Sequence, residues 1–170
     1  MSKILKNIPK KIWECSEMQF YSAKNRLNDS INSEINTYMS ECREIADNSI
    51  IYSAVGQNPI KLIANRGKKM KMVENEVYPA IIKLCEALEI CLLRGESDFT
   101  IKEDNIFQGF SLEHGNALYN AFLIFIDSIN CELQKDIFTD SIYIIPNTQW
   151  IYETVLVDEE SDGDDDVGDK

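Results

Sequence analysis

The sequence predicts a mainly α protein, a helical bundle ending in a C-terminal β-hairpin (α+β at most), followed by a disordered acidic tail. Three observations predict it. Apolar residues recur at helical spacing through the first third of the chain, β-branched and aromatic residues crowd into two short runs near residues 141–157, and beyond those runs the chain is almost wholly acidic. Residues 1–157 are expected to form one domain, since a chain of this length usually does and can bury a sizeable core. Residues 158–170 are expected to remain a tail, because dense like charges repel and offer no apolar surface to pack.

The first element is the longest. Neither proline nor glycine occurs from residue 10 to residue 55. Trp13, Phe20, Leu27, Ile31, Ile35, Tyr38, Cys42 and Ile45 follow in steps of seven, four and three, which keeps them on one helical stripe. Pro9 fits a first helical turn, where its missing N–H costs nothing. The reading is one long helix, or two nearly collinear ones broken near residues 28–30, where cap-forming residues cluster. Lys24, Asn25, Asn32, Ser33 and Asn36 make its other face polar, so it lies at the edge of the bundle or projects from it.

Gly56, Gln57, Asn58 and Pro59 form a stop and restart. A short helix is expected to follow and to end at Gly67. Pro79 then opens a helix over residues 80–94, closed by Gly95 and apolar round most of its circumference, as a buried central helix would be. Phe99 to Ile101 reads as a short strand or extended connector. Ser111 caps a helix over residues 112–134, whose inner face carries Leu118, Phe122, Phe125, Ile126, Ile129 and Leu133. Residues 141–145 and 150–157, separated by Pro146, Asn147, Thr148 and Gln149, read as a hairpin. A lone hairpin is marginal in water, so it should pack on the helices or find a third strand, with Phe99–Ile101 the candidate.

Charge and cysteine usage then restrict function. The chain has 29 acidic and 17 basic residues, a formal net charge of -12, and the tail holds eight acidic residues against one lysine. That sign opposes binding to nucleic acid duplexes or anionic membranes and favours a basic partner. Five scattered cysteines, none in a C-x-x-C pair, and no signal-peptide pattern point to a reducing, cytoplasmic setting without disulfides. No apolar run is long enough to span a bilayer, since Lys83, Glu86 and Glu89 interrupt the best one.

Reactive constellations are sparse. His114 is the single histidine, which removes zinc motifs built on paired histidines and leaves no nucleophile with an evident base. Neither a P-loop nor G-x-G-x-x-G occurs, so no cofactor is expected by those routes. Glu41 with Glu44, and Glu86 with Glu89, have the helical spacing that can hold a divalent ion in hydrolases. Asp158, Glu160, Asp162, Gly163, Asp166 and Asp169 imitate a calcium-loop spacing, a match that so acidic a segment produces by composition alone. Lys61, Arg66, Lys68, Lys69 and Lys71 form a basic stretch with no acid from residue 57 to 73. It lacks stacking aromatics, and a solvated surface is the plainer reading.

A chain of this kind is expected to be no enzyme but a protein-interaction module. Immunity proteins, antitoxin-like inhibitors and anti-defence proteins are small and acidic and work by occupying basic surfaces, because opposite potentials speed and orient association. The expected contact residues are Asp158, Glu159, Glu160, Asp162, Asp164, Asp165 and Asp166 in the tail, with Trp150 and Tyr152 as aromatic anchors. An assembly subunit that docks through the long helix and hairpin, with Tyr21 and Tyr38 as further anchors, is the second expectation. A metal-dependent hydrolase using the two glutamate pairs is the third. Oligomeric state is not legible in the sequence.

Overall fold

The computed structural model describes residues 2–104, 116–139 and 141–158. It is an α+β structure, with 58% of the described residues helical. In chain order the elements are β1 (Lys3–Trp13), α1 (Glu17–Asp47), α2 (Ser49–Ala54) and α3 (Pro59–Met72). A π turn (Val73–Val77) leads into α4 (Tyr78–Leu93), and β2 (Ile101–Glu103), α5 (Ala117–Ser128), β3 (Cys131–Lys135), β4 (Ile142–Pro146) and β5 (Thr148–Asp158) follow. The strands form two antiparallel sheets: a three-stranded sheet in the order β2-β4-β3, and a two-stranded ribbon of β1 with β5.

The N-terminal segment is a strand, and the long helix begins only after it. Pro9, expected in a first helical turn, stands in β1 opposite Tyr152. Proline is tolerated there because, among the described residues, each ribbon strand has one side with no neighbouring strand to receive an N–H. The helix starts at a capping box: Ser16 Oγ accepts from the Gln19 backbone N–H at 3.1 Å while Gln19 reaches back to Ser16. From there α1 runs unbroken through residues 28–30, burying Phe20, Leu27, Ile31 and Ile45 of the predicted stripe together with Ala23.

Gly67 does not end a helix. Asn58 caps α3 by accepting from the backbone N–H groups of Ile60 and Lys61, and the run continues through the π turn into α4. The π turn lies just before Pro79, the second residue of α4. Proline has no N–H for the carbonyl four residues back and its ring crowds that carbonyl, so a wider turn there relieves both conflicts. The run returns antiparallel along α1: Cys42 meets the Ile63 carbonyl at 3.8 Å, and farther along Lys24 meets Glu89 at 3.8 Å. The helix expected to be apolar all round is buried on one side only, with Ile81, Leu84, Cys85, Leu88 and Cys91 inside and Ile82, Ile90 and Leu93 exposed.

The core lies where α1, α4 and α5 meet the three-stranded sheet, and Phe20, Phe122, Phe125, Leu88 and Ile144 are fully buried there. The helix expected to reach residue 134 stops at Ser128. Asn130 takes φ 54°, a left-handed conformation that asparagine tolerates, and the chain turns into β3 with Leu133 on a strand. The expected start of this helix at residues 111–115 lies outside the described residues.

The expected hairpin is the main correction. Both strands form, yet they do not pair with each other. Asn147 alone separates β4 from β5, too short a link for a hairpin, and the two strands diverge there. β4 joins β3 and β2, whose pairing with Ile144 uses Ile101 from the anticipated connector, while β5 pairs along its full 11 residues with β1. An 11-residue strand needs a partner of equal length to satisfy its backbone, and β1 supplies it.

Candidate interaction surface

The ribbon meets the body at Trp13, which is 7% exposed. Its indole N–H donates to the carbonyls of Ile129 at 2.8 Å and Asn130 at 3.2 Å, and its ring meets Phe99 edge-on at 5.1 Å. Beside it the backbone N–H of Glu14 donates to Asn147, that of Asn147 donates to Asn130, and the Asn130 side-chain amide donates to the Glu14 carbonyl. These contacts lock together the three places where the chain enters or leaves the ribbon and the sheet. Beyond them the ribbon extends for about 35 Å at strand rise, and among the described residues no other element packs as extensively on either strand.

Residues opposite one another in an antiparallel pair point to the same face, so the register sorts the ribbon's side chains. One face carries the pairs Leu5/Leu156, Asn7/Thr154, Pro9/Tyr152 and Lys11/Trp150, ending in Lys3/Asp158. Two contacts agree with this assignment: the Thr154 hydroxyl donates to Asn7 Oδ1 at 2.8 Å, and Lys3 lies 3.9 Å from Asp158. Tyr152 is 75% exposed, Leu5 71%, Trp150 68% and Leu156 59%. The opposite face is aliphatic, with Ile4, Ile8, Ile12, Ile151, Val155 and Val157 and a Lys10–Glu153 ion pair at 3.7 Å.

Of the residues singled out in the sequence, Trp150, Tyr152 and Asp158 therefore share one exposed face. Glu159, Glu160, Asp162, Asp164, Asp165 and Asp166 lie outside the described residues, as do His114 and most of the calcium-loop spacing. Sequence reasoning missed Leu5, Pro9 and Leu156, which complete that face. The two-residue period of a strand, counted from Trp150 and Tyr152, carried a signal for Leu156; nothing local connects Leu5 to it.

The other candidates are dispersed. Glu41 accepts from Arg66 Nε at 2.9 Å, and Glu44 accepts from the Tyr52 hydroxyl at 3.4 Å. Glu89 lies beside Lys24, which places the two glutamate pairs about 25 Å apart along α1. They cannot share an ion. Among the described residues no three His, Cys, Asp or Glu side chains are arranged to hold a metal. Lys61, Lys68, Lys69 and Lys71 are exposed on α3, whereas Arg66 is half-buried against α1. Tyr21 sits at the edge of exposure on α1 and Tyr38 is half-buried there. Burial pushes the Cys15 and Cys85 thiols up to about 11 and Cys131 up to about 12, which keeps them protonated and weak as nucleophiles at neutral pH. Among the described residues, no helix is long and apolar enough to cross a membrane.

No family model, curated protein or solved structure matches the chain.

Proposed function

We propose that this chain is a non-enzymatic protein-interaction module that inhibits a basic protein partner by occupying its surface, in the manner of an immunity, antitoxin-like or anti-defence protein. One observation carries the reading. Trp150, Tyr152, Leu5 and Leu156 stand exposed on one face of a ribbon whose outer end leads directly into the acidic segment 158–170. Exposed aromatic side chains of this kind dominate interface energetics, and an adjacent acidic stretch steers a basic partner onto them.

The test begins with capture of a basic protein from a source-cell lysate and measurement of its affinity for the purified chain. Removing residues 159–170 or raising the salt should weaken binding, mainly by slowing association. Tyr152→Ala should cost about 2 kcal/mol of binding, a loss of roughly thirtyfold. Affinity indifferent to both tail and salt would remove the electrostatic part of the proposal.

A second reading, an assembly subunit, is favoured by the ribbon's outer edges, which no other strand among the described residues shares. Strand edges of this length invite pairing with another chain. The third reading, a metal-dependent hydrolase, draws no support from the separated glutamates.

A further inference from the structure

We propose that the end of the α1–α3 hairpin is a membrane-contact site, whose aliphatic tip enters the interface of an anionic bilayer while the lysines of α3 meet the lipid phosphates. The tip lies at the other end of α1 from the ribbon, about 45 Å away at helical rise. It goes beyond the function proposed above and does not depend on it.

The tip is apolar and uncovered. No charged residue occurs from residue 48 to residue 60, the stretch that forms α2 and opens α3. Ile50 is 84% exposed, Ile60 78%, Val55 69% and Ile51 63%. Single exposed aliphatic side chains are ordinary on a protein surface, but four gathered at one end of a hairpin form a patch of the kind that marks contact with protein or membrane. The end of a hairpin is convex. A fluid lipid interface closes round such a shape, whereas a folded partner would need a groove cut to match it.

Charge selects the anionic lipid. Lys61, Lys68 and Lys71 stand seven and three residues apart, so they share one side of α3, while Arg66, bound to Glu41 at 2.9 Å, marks the side that faces α1. These three lysines and Lys69 are exposed, and among the described residues none of the four makes an ion pair. At helical rise Lys68 and Lys71 sit about 12 and 17 Å behind Ile60. An interfacial segment buries its apolar side chains about 5–10 Å deep, which leaves those lysines at the level of the headgroups.

The acids of the hairpin do not oppose this contact. Glu41 is held by Arg66, and Glu44 accepts from the Tyr52 hydroxyl. Asp47 lies one turn from Arg43, on the side of α1 opposite the buried Ile45. Glu74 and Glu76 follow Ile60 by about 20 Å or more. The chain's net charge of -12 is a sum over sites that salt screens from one another beyond about 8–10 Å, so the lysine face decides the local contact. Nucleic acid, the other phosphate-rich surface, would leave the aliphatic tip unused and finds no stacking aromatics beside these lysines.

Co-sedimentation of the full chain with vesicles of phosphatidylcholine and about 30% phosphatidylserine, against phosphatidylcholine alone, tests this. The expected result is binding to the anionic vesicles that weakens as salt rises and is at least about tenfold weaker on the neutral ones. Each lysine near an anionic surface contributes about fivefold, so Lys61→Gln, Lys68→Gln and Lys71→Gln combined should lower partitioning on the order of a hundredfold. Ile50→Ser with Ile60→Ser should lower it by about tenfold or more. Val55→Trp should add an emission that moves to shorter wavelength on the anionic vesicles, while Trp13 and Trp150 of the unaltered chain stay constant. If a combined variant unfolds, that emission and the comparison of vesicles still decide. Failure to bind anionic vesicles overturns the proposal, as does a Trp150 shift in the unaltered chain, which would put the lipid on the ribbon. Binding that survives either combined variant also overturns it, since dependence on the lysines alone describes a contact that an acidic protein or a nucleic acid would serve.

Discussion

Replacing Trp13 with phenylalanine tests whether one side chain fastens the ribbon to the body. The indole N–H satisfies the Ile129 carbonyl at 2.8 Å in a buried setting. Phenylalanine keeps a ring that can still meet Phe99, but leaves that carbonyl without its donor. An orphaned buried polar group costs about 1–3 kcal/mol, and the smaller ring adds a void on top of that. A loss near 2 kcal/mol corresponds to a fall in melting temperature of about 4–8 °C for a chain of this size. Equilibrium urea unfolding followed by far-ultraviolet circular dichroism gives the free energy. Hydrogen exchange should show faster opening of β1 and β5 than of α1 or α4, because the lost bond sits at the ribbon's base. A loss below about 0.5 kcal/mol, the range of an inconsequential surface change, would refute the anchoring role.

Two glycines should respond with opposite sign. Gly67 lies inside α3 with open space where a Cβ would go, so Gly67→Ala should stabilise by about 0.5–1 kcal/mol in a thermal melt. Gly95 holds φ +67° after α4, and Gly95→Ala should destabilise by about 1 kcal/mol through backbone strain despite equally open space. The buried thiols make stability fall at alkaline pH. Their folded values of about 11 to 12 exceed the ordinary 9.0, so their contribution is intact below pH 9 and lost as pH rises from there towards 12, which urea titrations at stepped pH will show. Magnesium or manganese should give no heat on calorimetric titration, and Glu86→Gln should melt at the same temperature with or without either ion.

What the sequence made legible was local. The apolar stripe of α1, the Asn58–Pro59 start of α3 and the existence of strands near residues 142–146 and 148–158 all follow from periodicity and caps within a few residues. Pairing is a different matter. Nothing within β5 says that its partner is β1 rather than β4, and the short Asn147 link excludes the hairpin only once both strand ends are known. β1 was disguised because Ile4, Ile8 and Ile12 are spaced four apart, which suits a helix as well as one face of a strand. Two contrary signals were present: Ile8 precedes a proline, which disfavours helical backbone, and Ser16 with Gln19 marks a helix start beyond Trp13. The interaction face was half legible for the same reason. Trp150 and Tyr152 lie two apart on one strand, whereas Leu5 and Pro9 join them only through a long-range register.

That register also sets the order in which the chain can fold. Asn7 and Thr154 hydrogen-bond across 147 positions of sequence. During synthesis at about 5–20 residues per second, the first strand waits on the order of 10–30 s before its mate emerges. The helices between them close through nearer contacts and can form while it waits. Ribbon closure is therefore expected last, and for that interval a lysine-studded, isoleucine-rich segment waits for its mate with its charges to guard it against aggregation.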